Sequence, residues 1–179
     1  TGPDHYEEAL FEKRLMQIVS NHDTSTPLFL YYAAHLVHSP LQVPDRYVAK
    51  FNFIDDKSRQ YYHARVKYID DVVGNLTTAL KKRGMWDNLL LVTTSDNGGP
   101  LQSANNYPLK GGKFSDWQGG IRVNGLVSGG FLPEKMRGQK TEEYIHISDW
   151  YATFCALAGV DPTDDAAAKA NLPPIDSMN

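Results

Sequence analysis

The strongest helical pattern in the sequence lies at residues 57–83. Apolar residues recur there at steps of four, three, four, three and four, which places them on one face of a helix. These positions are Tyr62, Val66, Ile69, Val73, Leu76 and Leu80. A basic run at residues 81–83 suits the negative end of a helix, and Gly84 is expected to end it. The pattern predicts a long helix that buries this face.

Two shorter helices are predicted on either side of the long one. Residues 6–20 place apolar side chains at helical spacing, with charged residues between them. These are Leu10, Phe11, Leu15, Ile18 and Val19. Residues 148–158 (SDWYATFCALA) are expected to form a helix with Ser148 or Asp149 as its N-cap and Gly159 at its end. From Asp161 onward we expect a loop or a short exposed helix.

Continuous apolar runs predict the strands. Residues 28–34 (LFLYYAA) and 88–94 are typical of buried strands, and residues 121–128 are a candidate third strand. The glycine-rich residues 99–120 between them are expected to form a loop. The resulting order of helices and strands predicts a layered α/β domain. In such domains, sites gather at the carboxyl ends of strands, and two of the runs end in polar residues.

Composition and charge exclude several classes of protein. The chain has 179 residues, enough for one domain, and a net charge of −3, with no basic patch for nucleic acid. Its apolar runs are far shorter than the roughly 20 residues of a membrane span. The first residues contain no apolar segment of the kind found in a signal peptide. A single cysteine, Cys155, excludes an intrachain disulfide.

Asp96 and Asn97 are candidate metal ligands, since they follow the second predicted strand and precede Gly98 and Gly99. Carboxylate and amide oxygens suit Ca²⁺ and Mg²⁺, and glycines allow a sharp turn behind them. The same four residues are also common at a structural strand-to-turn junction. The local sequence leaves both interpretations open.

Histidines and lysines supply the other candidate groups. His35 and His38 follow the first predicted strand, where an imidazole could bind or protonate a substrate oxygen, or simply cap a loop. Lys110 and Lys113 lie in PLKGGKF, which could hold an anion or leave both lysines solvated. Cys155 is predicted to be a core residue.

Asn75 begins an N-glycosylation sequon, Asn75-Leu76-Thr77, within the long predicted helix. Such sequons also arise by chance. The local sequence leaves open whether Asn75 carries a glycan.

Taken together, these motifs resemble the type I sulfatase family, and most closely its arylsulfatase B-like (N-acetylgalactosamine-4-sulfatase) branch. The likeness runs in register from about Leu10 to Gly159. The segments that carry it are PLFLYYAAHLVHSP, YIDDVVGNLTTALKKRGMWDN, LLLVTTSDNGG, NNYPLKGGKFSDWQGGIR and IHISDWYATFCALAG.

The resemblance implies an alkaline-phosphatase-like α/β/α sandwich with a mostly parallel central sheet. It implies that Asp96 and Asn97 bind Ca²⁺, and that His38 and Lys113 contact the sulfate group of an aryl or carbohydrate sulfate ester. It also implies a sulfated small molecule or glycan as partner, and a lysosomal or extracellular location reached through the secretory pathway.

The family's nucleophile motif is not found in these residues. Sulfatases of this type convert the Cys or Ser of a C/S-x-P-x-R motif to formylglycine, but Cys155 is followed by Ala-Leu-Ala-Gly, and Ser39 has Pro40 directly after it. We therefore expect residues 1–179 to be one internal segment of a sulfatase catalytic domain, inactive alone and completed by the remainder of the chain. Gln118 and Asn124 depart from the family's common residues, which affects the expected substrate preference.

Two alternatives remain open at this stage. One is a phosphatase or phosphodiesterase of the same superfamily, although such enzymes usually surround their metals with more Asp and His. The other is a non-catalytic sulfatase-like protein that binds a sulfated glycan or another partner. An intact nucleophile motif in the complete protein would favour the enzyme.

Overall fold

A computed structural model describes residues 6–179 of the chain, which divide after Arg137 into two compact units. The helices of the first unit are α1 (Glu7–Asn21), α2 (Asp45–Val48), α3 (Lys57–Lys82) and α4 (Gln118–Ile121). Its strands are β1 (Leu91–Thr94) and β2 (Gly125–Ser128), and short 3-10 turns lie at Ala49–Phe51 and Glu134–Met136. The second unit contains α5 (Asp149–Ala158) and α6 (Asp165–Lys169).

The core of the first unit is formed by α1, α3 and the loop between them. Leu15 and Val19 of α1 belong to this core, together with Val43 of the loop and Tyr47 of α2. The α3 members of this core are Ala64, Tyr68, Val72, Leu76 and Leu80. Both predicted helices are therefore confirmed, with bounds within two residues of those expected.

The buried face of α3 differs from the predicted one. Apart from Arg65, its residues step by four, and of the predicted positions only Leu76 and Leu80 belong to it. Val66 is 46% exposed. The prediction was wrong because it counted only strongly apolar residues, whereas the buried face of α3 includes Ala64 and Tyr68 and also Gln60 and Arg65.

Local hydrogen bonds explain where α3 begins and ends. The Asp56 carboxylate accepts the Arg59 amide at the N-terminus (2.9 Å). At the other end Gly84 has φ +67°, and its amide donates to the Lys81 carbonyl while Met85 donates to Leu80. This is a Schellman motif, in which glycine avoids the steric cost of a left-handed residue. Gly84 therefore ends the helix as expected.

The strands β1 and β2 pair in antiparallel fashion, with Leu91 opposite Ser128 and Thr94 opposite Gly125. Both predicted strands are present but shorter than expected, because Ile121 ends α4 instead of opening a strand. The burial expected of β1 was wrong, since its residues are half-buried or exposed, and no described helix of the first unit packs on the strand pair. The parallel strands expected of a complete sheet do not occur in this range.

Residues 28–34 form no strand in the described part of the chain, contrary to the prediction. A strand requires a neighbouring backbone, and β1 and β2 pair with each other instead. Exposure still alternates as in a strand. Phe29 and Tyr31 are 73% and 80% exposed, whereas Leu30 and Tyr32 pack on the core. The segment is therefore covered on one face rather than on both.

In the second unit, the C-terminal tail returns to the first turn of α5. The Ser177 hydroxyl donates to the Ser148 carbonyl (2.6 Å) and accepts the Ala152 amide (2.9 Å). Ser148 is the N-cap residue, although its side chain makes no capping bond, and Gly159 ends the helix with φ +68°. The predicted helix is confirmed, and α6 is the expected short exposed helix.

Candidate functional site

Asp96 and Asn97 lie just beyond the end of β1, where their side chains reach the surface. Asp96 is exposed and Asn97 is half-buried. The backbone N–H of Asn97 donates to Asp96 Oδ1, and the side-chain Nδ2 of Asn97 donates to the Gly98 carbonyl (2.9 Å each). These bonds fix the turn and leave the second Asp96 oxygen and the Asn97 side-chain oxygen to bind a ligand. Both are hard oxygen donors of the kind that calcium and magnesium select.

Close backbone contacts explain the glycines that follow. The Gly98 amide donates to the Gly120 carbonyl (2.8 Å), and the Gly119 amide donates to the Lys110 carbonyl (2.8 Å). A Cβ atom on Gly98 would lie 1.8 Å from the Gly119 oxygen, and one on Gly120 would lie 2.1 Å from the Ser115 oxygen. Only glycine allows these strand-end and loop segments to approach so closely. We call Gly98, Gly99, Gly112, Gly119 and Gly120 the glycine cluster.

The same contacts bring Lys113 to the Asp96–Asn97 turn. The Lys113 amide donates to the Gly99 carbonyl (3.0 Å). Asn106 binds both backbone groups of Gly99, accepting its N–H (3.0 Å) and donating to its carbonyl (2.8 Å). Gly99 thus joins the segment of Lys113 to the turn of Asp96 and Asn97, although Lys113 lies 16 residues or more away in the sequence.

The two candidate lysines have different surroundings. Lys113 is half-buried, with Nζ 5.5 Å from the centroid of the Phe114 ring. Lys110 is exposed, and its Nζ lies 3.7 Å from the centroid of the Trp117 ring, a cation–π contact. Lys110 is therefore solvent-exposed and already has an aromatic partner.

His38 lies on a different loop, and its hydrogen bonds stay within that loop. Its amide donates to the His35 carbonyl, and Nδ1 lies 2.9 Å from the Ser39 carbonyl. Because a carbonyl can only accept, Nδ1 carries a proton and Nε2 is the ring atom that can exchange one. The exposed side chain is suited to proton transfer, whereas no hydrogen bond described here joins it to Asp96, Asn97 or Lys113.

His35 is hydrogen-bonded to two carboxylates of α1. Its Nδ1 lies 3.0 Å from Glu7 Oε2, and its amide donates to Glu8 Oε1 (2.7 Å). Ligand atoms of Glu7, Glu8 and His35 lie within 4.8 Å of one another. However, Glu8 is 2% exposed, and its other oxygen accepts the Tyr32 hydroxyl (2.9 Å). Both Glu8 oxygens are therefore already bound to protein donors.

Burial and the Glu8 carboxylate together raise the pKa of the Tyr32 phenol well above its usual value, with burial the larger cause. Tyr32 therefore remains a hydrogen-bond donor to Glu8 throughout the physiological pH range.

Glu8 and Arg65 are buried charged residues that the sequence did not single out. Arg65 is 4% exposed and donates from Nη1 to the Val37 carbonyl (3.1 Å). Burial lowers the pKa of its guanidinium, although Tyr6 and Glu8 oppose that shift. One signal was available, because Glu8 lies seven residues before Leu15 and shares its helix face with Leu15 and Val19.

The sequence of the chain is similar to those of known sulfatases. The family model described as Sulfatase matches residues 2–160. The chain is 41% identical over 154 residues to Arylsulfatase J of Mus musculus, a match covering 86% of this chain and 25% of that protein. It is 30% identical over 171 residues to N-acetylgalactosamine-6-sulfatase of Rattus norvegicus, covering 92% of this chain and 31% of that protein.

A solved structure gives a similar result. It is the crystal structure of Ps i-CgsB in complex with k-i-k-neocarrahexaose, with a TM-score of 0.84 and 36% identity over 97% of this chain and 37% of that one. The chain thus spans about a quarter to a third of the length of the curated relatives it matches.

Proposed function

The chain belongs to the sulfatase family, and on that basis we propose that the complete protein hydrolyses sulfate esters, with these residues supplying part of its active site. The relatives are named sulfatases, hydrolases that act on sulfate esters. The structural observation that carries the proposal is the backbone hydrogen bond from the Lys113 amide to the Gly99 carbonyl, which holds the backbone of a lysine beside the Asp96–Asn97 turn. A lysine on a segment adjoining metal-binding residues suits an anionic substrate.

Asp96 and Asn97 would hold a divalent cation, which we assign as Ca²⁺. The sulfatase family is generally metal-dependent, and the oxygen donors left free at this turn fit a hard cation. Calcium takes six to eight oxygens, so these two residues would provide part of the shell. When bound, the cation would supply positive charge to hold the sulfate group.

Lys113 and His38 would act on the substrate itself. The Lys113 ammonium would bind the sulfate oxygens, whose negative charge it offsets in a partly buried setting. As the sulfur–oxygen ester bond breaks, the leaving oxygen must gain a proton. Protonated His38 would donate it from Nε2, because Nδ1 is held by the Ser39 carbonyl. We assign no nucleophilic role to Cys155, which is half-buried on α5.

The substrate class that we propose is an aryl sulfate or a sulfated glycan. One structural relative was solved in complex with an oligosaccharide, k-i-k-neocarrahexaose, which supports the glycan.

No helix within residues 6–179 has the length and apolar character that a membrane crossing requires.

We further propose that the protein enters the secretory pathway, for a lysosome or the cell exterior, and carries a glycan at Asn75. Asn75 is exposed on α3, and its Nδ2 donates to Glu12 Oε1 (2.8 Å). A glycan replaces one hydrogen of Nδ2 and leaves the other, so this bond is compatible with glycosylation.

The decisive experiment compares three activities of the purified full-length protein. We expect calcium-dependent hydrolysis of a chromogenic aryl sulfate, little hydrolysis of the matching aryl phosphate, and a strongly lowered but measurable sulfatase activity in His38→Ala. Hydrolysis of phosphate alone would favour a phosphatase. Tight binding of a sulfated oligosaccharide without turnover of any ester would favour a binding protein.

A further inference from the structure

The loop that carries His38 is held by three side chains from outside it. Tyr6 donates from its hydroxyl to the Gln42 carbonyl (3.1 Å). Glu8 accepts the His35 amide (2.7 Å), and Arg65 donates to the Val37 carbonyl (3.1 Å). We call Tyr6, Glu8 and Arg65 the loop clamp. We propose that the loop clamp positions His38 for proton transfer, an inference that rests on the role proposed for His38 above.

Burial makes a positioning role the best explanation of Glu8 and Arg65. They are 2% and 4% exposed, and removing charges from water costs more than their mutual attraction usually returns. An apolar pair of similar volume would serve a core equally well or better. Charge-assisted hydrogen bonds are shorter and stronger than neutral ones, and here they hold a backbone N–H and a backbone carbonyl that lie two residues apart.

The clamp acts on the peptide units next to His38. Val37, whose carbonyl Arg65 holds, directly precedes His38. His35, whose amide Glu8 holds, accepts the His38 amide through its own carbonyl (2.9 Å). The ring of His38 is then oriented by Ser39. Release of Glu8 or Arg65 would let this turn shift, and a misplacement of about 1 Å can cost about a hundredfold in rate.

Glu12 offers a matched control on the same helix. It lies one turn after Glu8 and likewise accepts two hydrogen bonds, from the Tyr68 hydroxyl (3.1 Å) and from Asn75 (2.8 Å). Both of its donors belong to α3 and neither belongs to the loop. Loss of Glu12 therefore tests the packing of α1 on α3 without touching the clamp.

The test is a double-mutant cycle between Glu8 and His38 in the full-length enzyme. We expect Glu8→Ala to lower kcat about a hundredfold with KM changed by less than about threefold, and Glu12→Ala to change kcat by less than about threefold. Glu8→Gln keeps one oxygen acceptor, so kcat should fall by less than about tenfold. In the His38→Ala background, Glu8→Ala should cost no more than about twofold further, because its effect passes through His38.

Three results would overturn the inference. They are equal losses in Glu8→Ala and Glu12→Ala, a loss confined to KM, or losses from Glu8 and His38 that multiply in the double variant. If Glu8→Ala yields no folded protein, the same cycle with Glu8→Gln decides, and independent losses there overturn the inference equally. Full activity in His38→Ala would overturn both this inference and the role proposed for His38, whereas the preceding results leave that role standing.

Discussion

Gly98 has no room for a side chain, because a Cβ atom there would lie 1.8 Å from the Gly119 carbonyl oxygen. We expect Gly98→Ala to destabilise the full-length protein by about 1–3 kcal/mol, since backbone must move to relieve the clash. Gly74, exposed in the middle of α3 with open space around it, is the control. Gly74→Ala should stabilise by up to about 1 kcal/mol. Denaturant unfolding checks both, and an unchanged midpoint for Gly98→Ala would contradict the close packing of the glycine cluster.

The two lysines of the loop should differ strongly in their effect on catalysis. A half-buried ammonium beside a transferring sulfate contributes on the order of 3 kcal/mol, or about a hundredfold in rate. Lys113→Ala should therefore lower kcat about a hundredfold. Lys110 is exposed and rests on Trp117, so Lys110→Ala should change kcat by less than about threefold. Steady-state kinetics of both variants provide the measurement. A greater loss in Lys110→Ala would place the anion site elsewhere.

Asp96 should matter more than Asn97 for metal binding. A carboxylate brings charge as well as an oxygen, and hard cations respond to ligand charge. Calorimetric titration of the full-length protein with calcium should show a larger loss of affinity in Asp96→Ala than in Asn97→Ala. Equal affinities in the two variants, or the reverse order, would mean that the paired-ligand assignment is wrong.

At the level of elements, Asp149 ties the C-terminal tail to α5 in a pH-dependent way. Its carboxylate accepts the Met178 and His146 amides (3.1 and 2.8 Å), and these two bonds, Met178 first, hold the pKa of Asp149 below its usual value. A lowered folded-state pKa stabilises at pH values above the unfolded pKa of about 4, and this stabilisation is lost as pH falls through the folded value.

The NMR chemical shift of the Met178 amide reports this bond directly. We expect it to be constant from pH 7 to about 5 and to titrate below about 4. Asp149→Asn, which has no carboxylate, should abolish that titration. A Met178 shift that titrates identically in the variant would show that another group is responsible.

At the level of the whole molecule, membership of the sulfatase family confirms the predicted alkaline-phosphatase-like α/β fold class, of which these residues form a part. Neighbouring apolar side chains are exposed on β2, where Leu126 is 64% and Val127 is 39% exposed. Contiguous exposed apolar patches are typical of interaction surfaces.

We therefore expect the isolated 179 residues to hydrolyse an aryl sulfate only at the background rate. They hold two proposed metal ligands, fewer than the six to eight oxygens that calcium takes, and no residue to which we assign the nucleophile. A chromogenic assay, with the full-length protein as the positive control, tests this expectation. Turnover above background would show that the site is complete within these residues.

The sequence by itself determined the features that depend on near neighbours. The helices α1, α3 and α5 were predicted closely, because periodicity and the glycines at 84 and 159 act over one or two turns. The placement of Asp96 and Asn97 directly after a strand was also local.

Only the tertiary structure decided which surfaces meet. Three features depend on residues that are distant in the chain. They are the buried Ala64–Leu80 face of α3, the burial of Glu8 and Arg65, and the backbone hydrogen bond between Lys113 and Gly99. Residues 28–34 have the composition of a strand, yet a strand exists only where a second backbone supplies the hydrogen bonds. Composition and spacing describe what a segment can bury or bind, and its partner in space determines what it does.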